Sequence, residues 1–240
     1  MFPLKDINPT TRPPVITVLL IVANVAVFVS ELALGRQVGG FIAAWGVVPY
    51  EYTHLTDLVG RFQGIPIEHT PGPAFLPLTL VTSMFIHGGF MHIFGNMLYL
   101  WIFGNNIEDL LGPLRFILFY LACGLIAGAA HIATNPASAV PTVGASGAVA
   151  GVLGAYLVAY PRARVLTLVF IVFFVQLVRL PAAVVLIFWF VLQFFQGVAS
   201  LGGASAGGVA WFAHIGGFLA GVAGVWLLAG RKLRALRRYR

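Results

Sequence analysis

Residues 116–161 contain no lysine, arginine, aspartate or glutamate, and no acidic residue follows Asp109. A stretch this long without charge cannot form the wet surface of a soluble domain, so it points to a chain embedded in lipid. Composition agrees: 60% of the 240 residues are hydrophobic, 9% are charged and the mean hydropathy is +0.95, values of a polytopic membrane protein. The net charge of +7 is therefore confined to loops and tails, most densely at Arg231, Lys232, Arg234, Arg237, Arg238 and Arg240. Basic residues beside apolar segments suit anionic lipid at a cytoplasmic face, and no nucleic-acid partner is expected. The single cysteine, Cys123, excludes an intramolecular disulfide and reads as a packing residue.

A helical span needs roughly 20 apolar residues, fewer if its ends sink below the interface. Six segments qualify, at about 15–34, 88–104, 114–134, 146–160, 182–200 and 209–229. The expected fold class is an all-α polytopic membrane protein with six transmembrane helices. Residues 1–14 read as a cytoplasmic tether, 15–229 as the membrane domain and 230–240 as a basic cytoplasmic tail. Lys5, Arg12, Arg115, Arg162, Arg164 and the C-terminal cluster fall on one side, with Arg36 and Arg61 on the other, which puts both termini in the cytoplasm. Residues 35–85 form a long first outer loop, expected partly in the membrane interface because of Trp45, Tyr50 and Tyr52. Residues 165–178 are apolar but cover only about 21 Å as a helix, so they are expected as a re-entrant or interfacial segment before the fifth span.

Two polar side chains interrupt the spans inside small-residue motifs: Ser146 in Gly144-Ala145-Ser146-Gly147, and His214 in Ala213-His214-Ile215-Gly216-Gly217. Such groups within a membrane are functional candidates by default. Helical rise converts sequence into depth. Ser146, His214 and His92 each lie about 21 Å from the inner boundary of their helices, with Asn96 one turn deeper than His92. A hydroxyl passes its proton to an imidazole only within about 3 Å. Gly147 and Gly151 in the fourth span, and Gly217 and Gly221 in the sixth, stand at GxxxG spacing and let helix backbones touch.

Ser146 at a helix start also meets free N–H groups and the positive end of the helix dipole, which suits an oxyanion. His92 and Asn96, at i and i+4, add donors on one helix face. Taken singly, Ser146 reads as an N-cap, His214 as a satisfied core histidine, Asn96 as an interhelical hydrogen bond and the glycines as packing. Their conjunction favours catalysis. No carboxylate is spaced to complete a triad, so a Ser146–His214 dyad is expected, its imidazole held by packing. No metal and no cofactor is expected; His87 and His92, at i and i+5, do not align two ligands on one helix face.

Four segments, in kind and order, resemble the rhomboid intramembrane serine proteases: His87-Gly88-Gly89-Phe90-Met91-His92-Ile93-Phe94-Gly95-Asn96-Met97, Gly104-Asn105-Asn106-Ile107-Glu108-Asp109-Leu110-Leu111-Gly112, Gly144-Ala145-Ser146-Gly147-Ala148 and Ala213-His214-Ile215-Gly216-Gly217-Phe218. The resemblance runs from the second span to the sixth. It implies a six-helix rhomboid-like bundle with Ser146 as nucleophile, His214 as general base, and His92 and Asn96 as oxyanion donors beside the Ser146 backbone N–H. His87 is implied to be structural. The implied activity is cleavage of single-span or other transmembrane protein substrates near the outer face, through an acyl-enzyme and without metal or cofactor. The first outer loop departs most from the family, since no Trp-Arg pair aligns within it.

Two other classes share some of these features: a transporter or channel, whose paths also carry intramembrane His and Asn, and a catalytically silent membrane-protein binding module. The lack of an acid near the middle of a span and of an inverted repeat weighs against transport. The expected location is a prokaryotic inner membrane, with the site opening to the outer side.

Overall fold

The computed structural model describes residues 1–67, 69–171, 174–201 and 209–238. The chain opens with β1 (Phe2–Asp6) and α1 (Val15–Ala33). The outer connection holds α2 (Val38–Trp45), α3 (Pro49–His54), the short hairpin β2 (Arg61–Phe62) and β3 (Ile65–Pro66), and α4 (Thr79–Thr82). Then follow α5 (Phe90–Leu111), α6 (Pro113–Thr134), α7 (Ser146–Ala159), β4 (Arg164–Ile171), β5 (Phe174–Pro181), α8 (Ala182–Leu201) and α9 (Trp211–Arg238). The break between α5 and α6 is a single residue. Gly112 at φ +82 adopts a backbone that only glycine takes freely, and Pro113 starts the next helix.

By length and composition α1, α6, α8 and α9 can each cross a membrane. The second and fourth expected spans differ. α5 has 22 residues but includes Asn96, Asn105, Asn106, Glu108 and Asp109, and α7 has only 14, about 21 Å against a ~30 Å hydrocarbon core. α7 is apolar all round because it is the central helix, packed against α5, α6, α8 and α9.

Polar side chains fasten the periphery. Nothing in α1 caps its own first turn. Instead the Glu108 carboxylate accepts the N–H groups of Ile16 and Thr17 and the Thr17 hydroxyl, all at 2.8 Å, setting an anion on the positive end of the helix dipole. Asp109 accepts the Thr11 N–H at 2.9 Å just upstream. The outer connection is tied to the loop before α7 through Val47 and Thr142, which exchange backbone hydrogen bonds at 3.0 and 2.8 Å.

The fold is not all-α. β1, β4 and β5 form an antiparallel sheet in that order, with Phe2 opposite Leu168, Asp6 opposite Val165, and β4 paired to β5 from Arg164↔Pro181 to Ile171↔Phe174. Part of the expected N-terminal tether therefore joins the segment expected to be re-entrant or interfacial. The run Val165 to Phe170 is rich in β-branched and aromatic residues that favour a strand. The ladder also satisfies backbone groups that an isolated apolar loop would leave unpaired. Val165 and Thr167 are fully buried on one face, whereas Phe170 is 61% exposed.

Asp6 locks the sheet to the helices. One carboxylate oxygen accepts Asn106 Nδ2 at 2.7 Å and the Tyr156 hydroxyl at 2.9 Å, while Asn8 donates to Asn106 Oδ1 at 2.7 Å. Burial raises the Asp6 carboxyl above its ordinary pKa, and the Tyr156 and Asn106 hydrogen bonds only partly offset this. Four residues earlier Phe2 stacks on Phe94, ring centroids 6.5 Å apart. The sheet therefore rises beside α5 over about 18 Å of its length.

Most of the segment expected as a basic tail is helical. α9 continues to Arg238 past a non-helical residue at Ala229. Leu233 is buried and Lys232 Nζ donates to the Leu110 carbonyl at 2.7 Å. Tyr239 and Arg240 lie outside the described residues.

Candidate active site

The four glycines singled out for close packing bring α7 and α9 into backbone contact. A Cβ on Gly217 would collide with the carbonyl oxygen of Gly147, and one on Gly221 with that of Gly151. On the other side of α7, a Cβ on Gly147 would stand 2.5 Å from Ala127 Cβ, and one on Gly151 2.5 Å from Cys123 Cβ. The buried Cys123 is thus a packing group of α6. α7 is pressed between α6 and α9 with no room for a methyl at these four positions.

Ser146 opens α7 two residues after Gly144, whose φ is +125 and whose N–H donates to the Ser83 carbonyl at 2.8 Å. Its own backbone N–H is one of the free donors of a first helical turn. Ser146 Oγ lies 2.8 Å from Nε2 of His214, in the first turn of α9. The other imidazole nitrogen, Nδ1, lies 2.6 Å from Gln193 Oε1 on α8. One tautomer satisfies both contacts, with Nδ1–H donating to Gln193 and Nε2 accepting the Ser146 hydroxyl. Trp189 and Trp211 flank the same ring, with centroids 6.0 and 6.1 Å away. The imidazole is therefore held by a hydrogen bond as well as by packing. Sequence reasoning missed Gln193; the available signal was the first amide of a helix apolar up to that point, one turn after a tryptophan.

His92 and Asn96 stand on the facing side. His92 Nδ1 accepts the Gly88 N–H at 3.3 Å, which leaves the ring proton on Nε2 as a donor. That Nε2 lies 2.6 Å from where a Cβ on Gly144 would be. Asn96 is buried; its amide donates to the His92 carbonyl at 3.1 Å and has a second N–H besides. His87 is fixed differently. Its backbone N–H donates to the Glu31 carboxylate, 3.1 and 3.3 Å from the two oxygens, and its Nδ1–H donates to the Phe85 carbonyl at 3.2 Å. Glu31, buried on α1, thereby pins the turn that leads into α5. No sequence spacing links it to that turn.

Two cavities meet at Ser146 and His214. One, of about 560 Å³, is lined also by Ser83, His92, His131 and Gly144. The other, of about 250 Å³, lies between α5 and α8 and is lined by Met91, Asn96, Trp189 and Gln193. Among the described residues no group of three or more His, Cys, Asp or Glu is placed to hold a metal ion. A hydroxyl, an accepting imidazole nitrogen and several N–H donors at one cavity are the parts needed for acyl transfer.

The family model for the rhomboid domain matches residues 77–231. The chain is 38% identical over 78 residues to the putative rhomboid protease YdcA of Bacillus subtilis, covering 32% of this chain and 39% of that protein. It is 37% identical over 98 residues to rhomboid protein 1, mitochondrial, of Saccharomyces cerevisiae, covering 39% and 28%. It is 30% identical over 184 residues to presenilin-associated rhomboid-like protein, mitochondrial, of Mus musculus, covering 72% and 47%. The chain thus spans less than half the length of each of these relatives. They come from mitochondria as well as a bacterium, so they do not support the expected prokaryotic inner membrane. On the residues matched, from before α5 into the last helix, this chain belongs to the rhomboid family.

Proposed function

We propose that this chain is an intramembrane serine endopeptidase that cleaves transmembrane protein substrates with Ser146 and His214. The observation that carries the reading is the 2.8 Å contact between Ser146 Oγ and His214 Nε2. Ser146 Oγ attacks the scissile carbonyl while His214 Nε2 takes its proton. The negative oxygen that develops is met by the Ser146 backbone N–H, His92 Nε2–H and the Asn96 amide. His214 then returns the proton to the leaving amine, and the acyl-enzyme is hydrolysed by water activated through the same imidazole.

In this reading α1 and α5 through α9 form six spans with both termini cytoplasmic. α7 is short because its Ser146 end stops within the membrane, below a cavity that admits water from the outer side. A helical substrate hides its carbonyls in its own hydrogen bonds, so it must unwind before attack. The smaller cavity between α5 and α8 is the side route by which an unwound segment reaches Ser146. The basic residues at the end of α9 contact anionic lipid headgroups.

Cleavage of a single-span substrate by purified protein in liposomes tests this, with wild type beside Ser146→Ala and His214→Ala. Both variants are expected to lose at least about 10³-fold in kcat. Transport or simple binding survives Ser146→Ala, so cleavage at the wild-type rate in either variant rejects the dyad.

A further inference from the structure

α8 is apolar from Ala182 to Leu192, and the first amide it carries is Gln193. An amide in such a helix is costly unless it is paired. Gln193 Oε1 lies 2.6 Å from His214 Nδ1, on the side of the ring opposite the Ser146 contact. Trp189, one turn earlier on the same face, lies beside the same ring.

This arrangement bears on a problem specific to a histidine with no carboxylate partner. A neutral imidazole has two tautomers, and only the one with its proton on Nδ1 leaves Nε2 free to accept from Ser146. In an apolar site that Nδ1–H needs an acceptor, and a buried carboxylate would itself require a compensating charge. An uncharged amide oxygen meets the need without that cost.

We infer that Gln193 is the third member of this site: a positioning residue that holds His214 in the Nδ1–H tautomer, supplied by α8. The inference rests on the dyad proposed above. Gln193 and Trp189 also line the cavity between α5 and α8, so the helix face bordering the side opening is the face that orients the base. A displacement of α8 that lengthens the Oε1–Nδ1 contact releases the imidazole from its productive orientation.

The test is steady-state cleavage by the full chain in liposomes across pH, with thermal unfolding of each variant. Gln193→Met keeps the length and removes the acceptor; Gln193→Glu keeps an acceptor oxygen and adds charge. Gln193→Met is expected to lose about 10- to 100-fold in kcat, with KM within about two-fold, a smaller effect than loss of a charged orienter. Gln193→Glu is expected to stay within about ten-fold of wild type in kcat. Its acid limb of kcat/KM should move to higher pH by about one unit, because an adjacent negative charge favours the imidazolium. Gln193→Met keeps the packing bulk, so its kcat separates a lost acceptor from lost packing.

Wild-type kcat in Gln193→Met overturns the inference, as does equal loss in both variants with the acid limb unmoved. Should Gln193→Met not fold, the limb of Gln193→Glu decides, and an unmoved limb rejects the role. Cleavage that persists in Ser146→Ala rejects the dyad itself, and this inference with it. Loss in Ser146→Ala beside wild-type behaviour of both Gln193 variants rejects the Gln193 role alone.

Discussion

Gly221 of α9 abuts the carbonyl oxygen of Gly151 in α7, closer than any side chain allows, and Gly217 does the same to Gly147 one turn nearer the dyad. The backbone approach at these glycines fixes the distance across which Ser146 and His214 meet, so packing and chemistry depend on one helix separation. Gly221→Val should push α9 away, costing about 1–3 kcal/mol of stability from overpacking and most of the cleavage rate. Gly95→Ala on α5, where a Cβ meets nothing within 4 Å, serves as the stability control. Thermal unfolding of both variants checks this, and an unchanged Gly221→Val would remove the argument.

Gly144 separates stability from chemistry. Its φ of +125 strains any other residue, and an added Cβ would stand 2.6 Å from His92 Nε2. We expect Gly144→Ala to displace His92 and lower kcat by at least about 10-fold, in the range of a lost oxyanion donor, with a smaller effect on KM. A kcat equal to wild type in a folded variant would argue against His92 as a donor.

The Glu108 carboxylate takes three hydrogen bonds from the start of α1. Glu108→Ala leaves two backbone donors and a hydroxyl unpaired, which should cost about 1–3 kcal/mol or more. Glu108→Gln, which keeps acceptor oxygen, should cost less. Unfolding midpoints of the two variants give the comparison, and equal midpoints would contradict the capping role.

Asp6 makes the docking of β1 depend on pH. Its folded pKa is raised above the ordinary value of 3.8 by burial, so the fold favours the protonated form. The stabilisation this gives is fully present below about pH 3.8 and is lost as pH rises through the raised folded value. Amide exchange in β1, corrected for its intrinsic pH dependence, should therefore quicken with rising pH in wild type. It should stay flat in Asp6→Asn, and a flat wild-type profile would count against this account.

Much of the helical frame can be read from hydropathy because α1, α6, α8 and α9 are long apolar runs. The meeting of Ser146, His92 and His214 at one cavity agrees with the common level that rise per residue gave them. Residues 165–178 escaped that reasoning, since a short apolar run does not distinguish strand from helix by periodicity. Its two halves pair with each other as β4 and β5, and the third strand begins at Phe2, far away in sequence, so no local signal announces the full sheet. Glu31 and Glu108 were opaque for a related reason: each serves a backbone segment of another element, and spacing within one helix carries no trace of such a partner. Gln193 was hidden more simply. A polar residue in a span has many structural uses, and only the position of the His214 ring distinguishes among them.

The pairing of Phe2 with Leu168 also sets an order of events during synthesis. The first strand leaves the ribosome while its partner has not been made, and it must wait until α7 and the turn after it have emerged. The sheet is therefore completed only when β4 reaches the waiting β1, with α8 and α9 still to follow. A bulky fusion joined ahead of Phe2 would sit where that pairing takes place, whereas an extension after Arg238 would not.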